Sequence, residues 1–127
     1  MGQPPTVLVV DDSEVIRVML SDFLRIWGYQ PVTACDSASA LELAGRGQVD
    51  AVFTDLQIGD KTGLDLCREL RAMSEHRGRP MPVWLMSGSD QMDYSVEATE
   101  AGAVGFFRKP FNPADIAQRL AAAVPNK

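Results

Sequence analysis

Val7-Leu8-Val9-Val10-Asp11-Asp12 decides the fold: four consecutive apolar residues, too few for a helix, run straight into two acids. A strand that is apolar at every position is buried on both faces, which is the habit of parallel sheets covered by helices. The form recurs three times. Ala51-Val52-Phe53-Thr54 ends in Asp55, and Val83-Trp84-Leu85-Met86 ends in Ser87. Val104-Gly105-Phe106-Phe107 runs through Arg108 into Lys109-Pro110. In an open parallel sheet the strand carboxyl ends share one edge, and ligands bind there. The pattern therefore brings three carboxylates, a hydroxyl and an ammonium into one cleft, a site suited to a divalent metal and a phosphoryl group.

Between the strands the period is helical. Ile16, Leu20, Phe23, Leu24 and Trp27 form a buried stripe that Gly28 stops, with Val15 and Val18 left on another face. Gln30 to Ala34 is a weak second strand, and Asp36 caps a helix through Leu41 and Ala44 that Gly45 and Gly47 end. A loop follows from Gly59 to Gly63. Leu66, Leu70 and Met73 mark a helix expected to dissolve into the polar stretch from Ser74 to Pro80. An acidic helix spans about Met92 to Ala101 and carries Asp93, Glu97 and Glu100, with Asp90 just before it. Asn112-Pro113-Ala114-Asp115 opens the last helix with a capping Asn, Pro at the first position and an acid in the first turn. Ile116, Leu120 and Val124 face inward from it. Five repeats of strand then helix imply an α/β protein, a three-layer α/β/α sandwich. One domain is expected over residues 1–127, with its core in 6–124 and no room for an output domain.

Composition narrows the functions. The 127 residues carry a formal charge of -5, which argues against direct nucleic-acid binding because no basic face offsets phosphate repulsion. No apolar stretch approaches a membrane span, so membrane insertion is not expected. Cys35 and Cys67 lack metal-ligand spacing and read as buried free thiols of a reducing, cytoplasmic compartment.

Singly, each acid has an ordinary explanation: Asp11, Asp12 or Ser13 as a helix cap, Asp55 as a turn residue. Together, three crowded carboxylates repel unless one protonates or a cation binds. Mg²⁺ takes carboxylate oxygens while keeping waters and substrate phosphate. Its two charges and that of Lys109 balance the three acids, so an anionic donor can enter. Asp55 is the natural nucleophile, Ser87 a ligand for phosphoryl oxygens and Lys109 a point charge.

In the order of these motifs the chain resembles a response-regulator receiver domain of two-component signalling, like the single-domain chemotaxis regulators. The acidic pair, Asp55, Gly63, Ser87 with its small neighbour, Phe106 and Lys109-Pro110-Phe111 carry the resemblance, which covers residues 6–124. It implies a flavodoxin-like five-stranded parallel sheet of order 2-1-3-4-5 with five helices. It also implies Mg²⁺, with Mn²⁺ able to substitute, bound by Asp12 and Asp55 directly, by Asp11 mostly through water and by the Gln57 backbone carbonyl. Lys109-Pro110 should be cis. Phosphorylation of Asp55 by a histidine kinase or histidine phosphotransfer protein would then move Ser87 and Phe106. The face made of the fourth helix, fifth strand and fifth helix would in turn engage a downstream protein target. The protein itself would be a monomer or a weak phosphorylation-dependent dimer.

Two departures stand out. Ile58-Gly59 replaces the usual Met-Pro, and the switch aromatic is Phe106 where Tyr is frequent, with plain core packing as its competing role. Val15, Val18, Pro110 and Phe111 are candidates for the kinase-side contact. The rival readings are an aspartyl-phosphate hydrolase of the haloacid dehalogenase type, a flavin carrier and a non-phosphorylated docking module. Gln57 speaks against the hydrolase, because it stands where a general acid is needed. The turn Asp11-Asp12-Ser13-Glu14 repels a flavin phosphate. No turnover beyond self-phosphorylation from small donors and self-dephosphorylation is expected.

Overall fold

A computed structural model describes residues 3–59, 61–88 and 94–125. Strands β1 (Thr6–Val10), β2 (Gln30–Ala34) and β3 (Ala51–Asp55) alternate with helices α1 (Glu14–Ile26) and α2 (Ser37–Gly45). A short hairpin, β4 (Gln57–Ile58) and β5 (Lys61–Thr62), precedes α3 (Gly63–Arg77). Then come β6 (Val83–Ser87), α4 (Ser95–Glu100), β7 (Gly105–Arg108) and α5 (Pro113–Ala123). The five longer strands make one parallel sheet in the order β2-β1-β3-β6-β7, which is 2-1-3-4-5 when the hairpin is left out.

Each sheet face packs its own core. Val7, Val9, Phe53, Trp84 and Phe107 meet Leu20 and Leu24 of α1 and Ile116 and Leu120 of α5. Leu8, Val10, Val52 and Val83 meet Ala40 and Ala44 of α2 and Leu66, Cys67 and Leu70 of α3. Alternate residues of one strand thus enter opposite layers, and this is why β1 and β3 had to be apolar throughout. On the α1–α5 side the core is aromatic: the rings of Phe53 and Trp84 stack at 5.1 Å, and Phe107 tilts against Phe53 at 6.0 Å. Of the neighbouring pair, Phe107 is therefore the inward one and Phe106 is half-buried.

Caps fix the helix starts that lead out of the sheet edge. Ser13 accepts from the Ile16 N–H, Asp36 from Ser39 and Asn112 from Ala114 and Asp115. Several expectations change. α3 does not dissolve at Ser74 but runs through Arg77 to a left-handed Gly78, held there by the Arg77 guanidinium on the Val49 and Pro80 carbonyls. In place of the expected Gly59–Gly63 loop, Lys61 and Thr62 pair with Ile58 and Gln57 in a hairpin and Gly63 begins α3, with Gly59 in the left-handed region that the usual proline cannot enter. Cys35 lies outside β2 and is exposed, whereas Cys67 is buried as expected. Trp27 is half-buried, stacked on Phe23 rather than sunk in the core. Val104 is exposed because β7 begins only at Gly105. The start of the expected acidic helix, with Asp90, Met92 and Asp93, lies outside the described residues; α4 is seen from Ser95. Among the described residues no helix is long and apolar enough to cross a membrane.

Candidate functional site

Parallel pairing aligns the strand ends. Val10 pairs with Thr54 and Asp55 with Met86, so Asp11 and Asp55 leave the sheet side by side. Ser87 pairs with Arg108, and the Lys109 N–H donates to the Ser87 carbonyl at 2.8 Å, which carries the ammonium over β6 toward the acids. Ligand oxygens of Asp11, Asp12 and Asp55 lie within 4.8 Å of one another. Lys109 Nζ bridges two of them, donating to Asp11 Oδ2 at 2.9 Å and to Asp55 Oδ1 at 3.2 Å.

The three acids are not equivalent. Asp11 is fully buried, and besides Lys109 its carboxylate accepts from the Ser13 N–H at 2.9 Å. Because Ser13 takes the helix cap, neither acid is used up there. Asp12 is exposed, and its carboxylate has no hydrogen bond or ion pair among the described residues, which leaves it open to a ligand. Asp55 is nearly buried. Burial first and the charge of Asp11 second push its carboxyl above the ordinary value, against the pull of Lys109. Burial alone would lower the Lys109 ammonium, but its hydrogen bond to Asp11 and the charges of Asp55 and Asp11 raise it on balance. The donor set is hard oxygen and crowded, with Asp12 unpartnered, and it fits a hard divalent cation.

The surrounding residues shape the pocket. Ser87 is buried at the end of β6. Gly63 starts α3 so close to β3 that a Cβ there would fall inside contact distance of the Asp55 carbonyl oxygen, and its N–H donates to Leu56 at 2.7 Å. That is the local reason for a glycine eight positions after Asp55. Gln57 is exposed on β4, and Lys109-Pro110 is cis. Phe106 lies with its ring 6.4 Å from that of Tyr94. Val15 and Val18 are 74% and 54% exposed, as the helical pattern requires; Pro110 is exposed, and Phe111 is half-buried against the α1–α5 core. Two contacts were not legible from sequence: Tyr94 beside Phe106, and Arg17, whose Nη1 donates to the Asp11 carbonyl at 2.7 Å. An arginine on a surface helix gives no periodic signal. A cavity of about 570 Å³ lies elsewhere, at the amino ends of β6 and β7, and includes none of these groups.

An acid triad, a bridging lysine and a buried serine on one edge of a 2-1-3-4-5 sheet are the arrangement of a signalling receiver domain. The chain matches the response regulator receiver domain over residues 7–121 and belongs to that family of two-component signalling. It is 39% identical over 121 residues to TcrX of Mycobacterium tuberculosis, a probable transcriptional regulatory protein, covering 95% of this chain and 50% of TcrX. The chain thus spans about half the length of the curated relatives it matches. The chemotaxis protein CheY4 of Vibrio cholerae is 30% identical with a TM-score of 0.83, covering 95% of this chain and 99% of that one. A response regulator of Burkholderia pseudomallei, crystallised with a phosphorylated aspartic acid, calcium ion and citrate, is 30% identical with a TM-score of 0.79. That match covers 96% of this chain and 68% of the other.

Proposed function

We propose that Asp55 is the phosphoacceptor and that Asp11, Asp12, Asp55 and the Gln57 carbonyl hold Mg²⁺, or Mn²⁺ in its place. The observation that carries this reading is the Lys109 ammonium shared between Asp11 and Asp55, with the Asp12 carboxylate beside them unengaged. An Asp55 carboxylate oxygen forms the new P–O bond. The P–N bond of a phosphohistidine breaks, and its electron pair returns to the imidazole nitrogen, which then takes up a proton. When bound, Mg²⁺ supplies positive charge facing the phosphoryl oxygens. Lys109 adds its own charge, and Ser87 donates to a phosphoryl oxygen in a charge-assisted hydrogen bond.

Phosphorylation draws Ser87 toward Asp55, and Phe106 moves into the space behind it. Burying a Phe side chain is worth about 1.5–3 kcal/mol, comparable to the gap between two-state conformers. Phe106 is half-buried here, so part of that path is already travelled. The face of α4, β7 and α5 carries the output to a protein target, and Glu97 and Glu100 favour a basic one. Relatives named as transcriptional regulators confine the expectation of no direct nucleic-acid contact to this domain. The donor, a histidine kinase or phosphotransfer protein, docks on α1 over Val15 and Val18, with Pro110 and Phe111 across the cleft.

Intact mass after acetyl phosphate should rise by one phosphoryl group with Mg²⁺ and not with chelator. Asp55→Asn retaining the gain would refute the assignment. Val18→Glu should slow transfer from the protein donor while leaving acetyl phosphate unaffected. With a beryllofluoride mimic, amide shifts should spread through Ser87 and residues 94–112; shifts limited to the loops at Asp12 and Asp55 would remove the switch.

A further inference from the structure

We propose that Arg17 is a positioning residue for the acidic pocket: its guanidinium grips the peptide joining Asp11 to Asp12 and so sets where both carboxylates stand. This rests on the reading of the pocket as a metal site and deepens it. The bond from Arg17 Nη1 to the Asp11 carbonyl, at 2.7 Å, is shorter than any side-chain bond within the acid cluster. Asp11 is held at every other polar point as well. Its N–H donates to the Ala34 carbonyl, and its carboxylate accepts from Ser13 and Lys109. What those contacts leave open is rotation of the Asp11–Asp12 peptide, and the carbonyl held by Arg17 belongs to that peptide. Asp12 has no side-chain partner of its own among the described residues, so its direction is inherited from the backbone before it.

The reach follows from helix geometry. Arg17 sits in the second turn of α1, its N–H bonded to the Ser13 carbonyl, and helical side chains lean toward the N-terminus. The half-buried guanidinium therefore comes to the end of β1, on the β2 side and away from Lys109. Groups that orient metal ligands from outside the coordination sphere are worth about 10–100-fold in metal affinity.

The test is calorimetric Mg²⁺ titration of the metal-free wild type, Arg17→Ala and Arg17→Lys, with the Ser13 amide followed by NMR. Arg17→Ala should weaken Mg²⁺ about tenfold or more, with Arg17→Lys recovering most of the loss. The Ser13 amide should shift and exchange faster before any metal is added. Acetyl phosphate labelling of Arg17→Ala should need about tenfold more Mg²⁺ or more to reach half of its maximal rate, in step with the weakened affinity. Mg²⁺ affinity within about twofold of wild type overturns the proposal, whatever the variant's stability. Should Arg17→Ala not fold, Arg17→Gln replaces it under the same criteria. A wild type that binds no Mg²⁺ overturns the metal reading and this proposal together, whereas tight wild-type binding with an unaffected variant overturns the proposal alone.

Discussion

On the acid side of the sheet edge, α1 runs 13 residues, is capped by Ser13 and buries Leu20, Ser21 and Leu24. On the Ser87 side, α4 runs six residues, has no side-chain cap at Tyr94 and buries Ala98 alone. One is firmly anchored and the other lightly seated. The difference fits the tasks proposed for them. Carboxylates at close range need fixed counter-charge, because a drifting lysine would leave buried acids uncompensated. A segment that changes position on phosphorylation must sit near the low end of local stability.

The thiols give the widest separation. Cys67 is buried, with its sulfur donating to the Ala101 carbonyl at the end of α4, and burial pushes its thiol up to about 11. At pH 8 only about one such thiol in a thousand is thiolate, so a disulfide reagent should take exposed Cys35 at once and Cys67 at least about a hundredfold more slowly. Acceleration at Cys67 on adding beryllofluoride would report loosening of α4. Equal rates for both thiols in the resting protein would break the contrast.

Next in size is Lys109→Ala in the absence of metal. Leaving Asp11 and Asp55 without their shared cation should cost about 3 kcal/mol in urea unfolding, with Mg²⁺ restoring part of it. An unchanged midpoint would mean that the acid cluster is not held by charge. Ala98→Gly should act only locally. A cost of about 1 kcal/mol in helix propensity should speed amide exchange in α4 several-fold and leave Asp55 labelling alone.

The smallest effect has the opposite sign. The raised Asp55 carboxyl means that the protonated form suits the metal-free fold, so its stabilising contribution is present below the unfolded value and lost as pH rises through the higher folded one. Asp55→Asn should therefore melt above wild type without Mg²⁺, by a margin that opens from acid toward neutral pH and shrinks when the metal is added. Lys109 is raised as well, so its contribution persists through neutral pH and fades only in strong alkali.

The acid side was more legible than the α4 side. β1, β3 and β6 announce themselves by unbroken apolar runs ending in the reactive residues, because burial on both faces leaves no freedom of pattern. Two-residue strands such as β4 and β5 have no period to read. The end of α3 was hidden because Ser74 to Arg77 are polar; what keeps them helical is the ladder of Arg77 bonds to distant carbonyls. Phe106 and Phe107 are indistinguishable in composition, and the choice between them depends on the register of β7 against β6. The hold of Arg17 on Asp11 is likewise a product of assembly.

Lys109 meets its two partners across 98 and 54 positions of chain. Contacts of such separation form late in folding, after the loops between them have closed. During synthesis, which proceeds from the amino terminus, Asp11, Asp12 and Asp55 emerge well before the lysine that neutralises them. A nascent chain stalled before β7 would carry Asp55 but not the ammonium that bridges it to Asp11. On the proposed assignment of Asp55, competence to take up a phosphoryl group doubles as a certificate of completed folding, and no partly made receiver should enter the signalling pool.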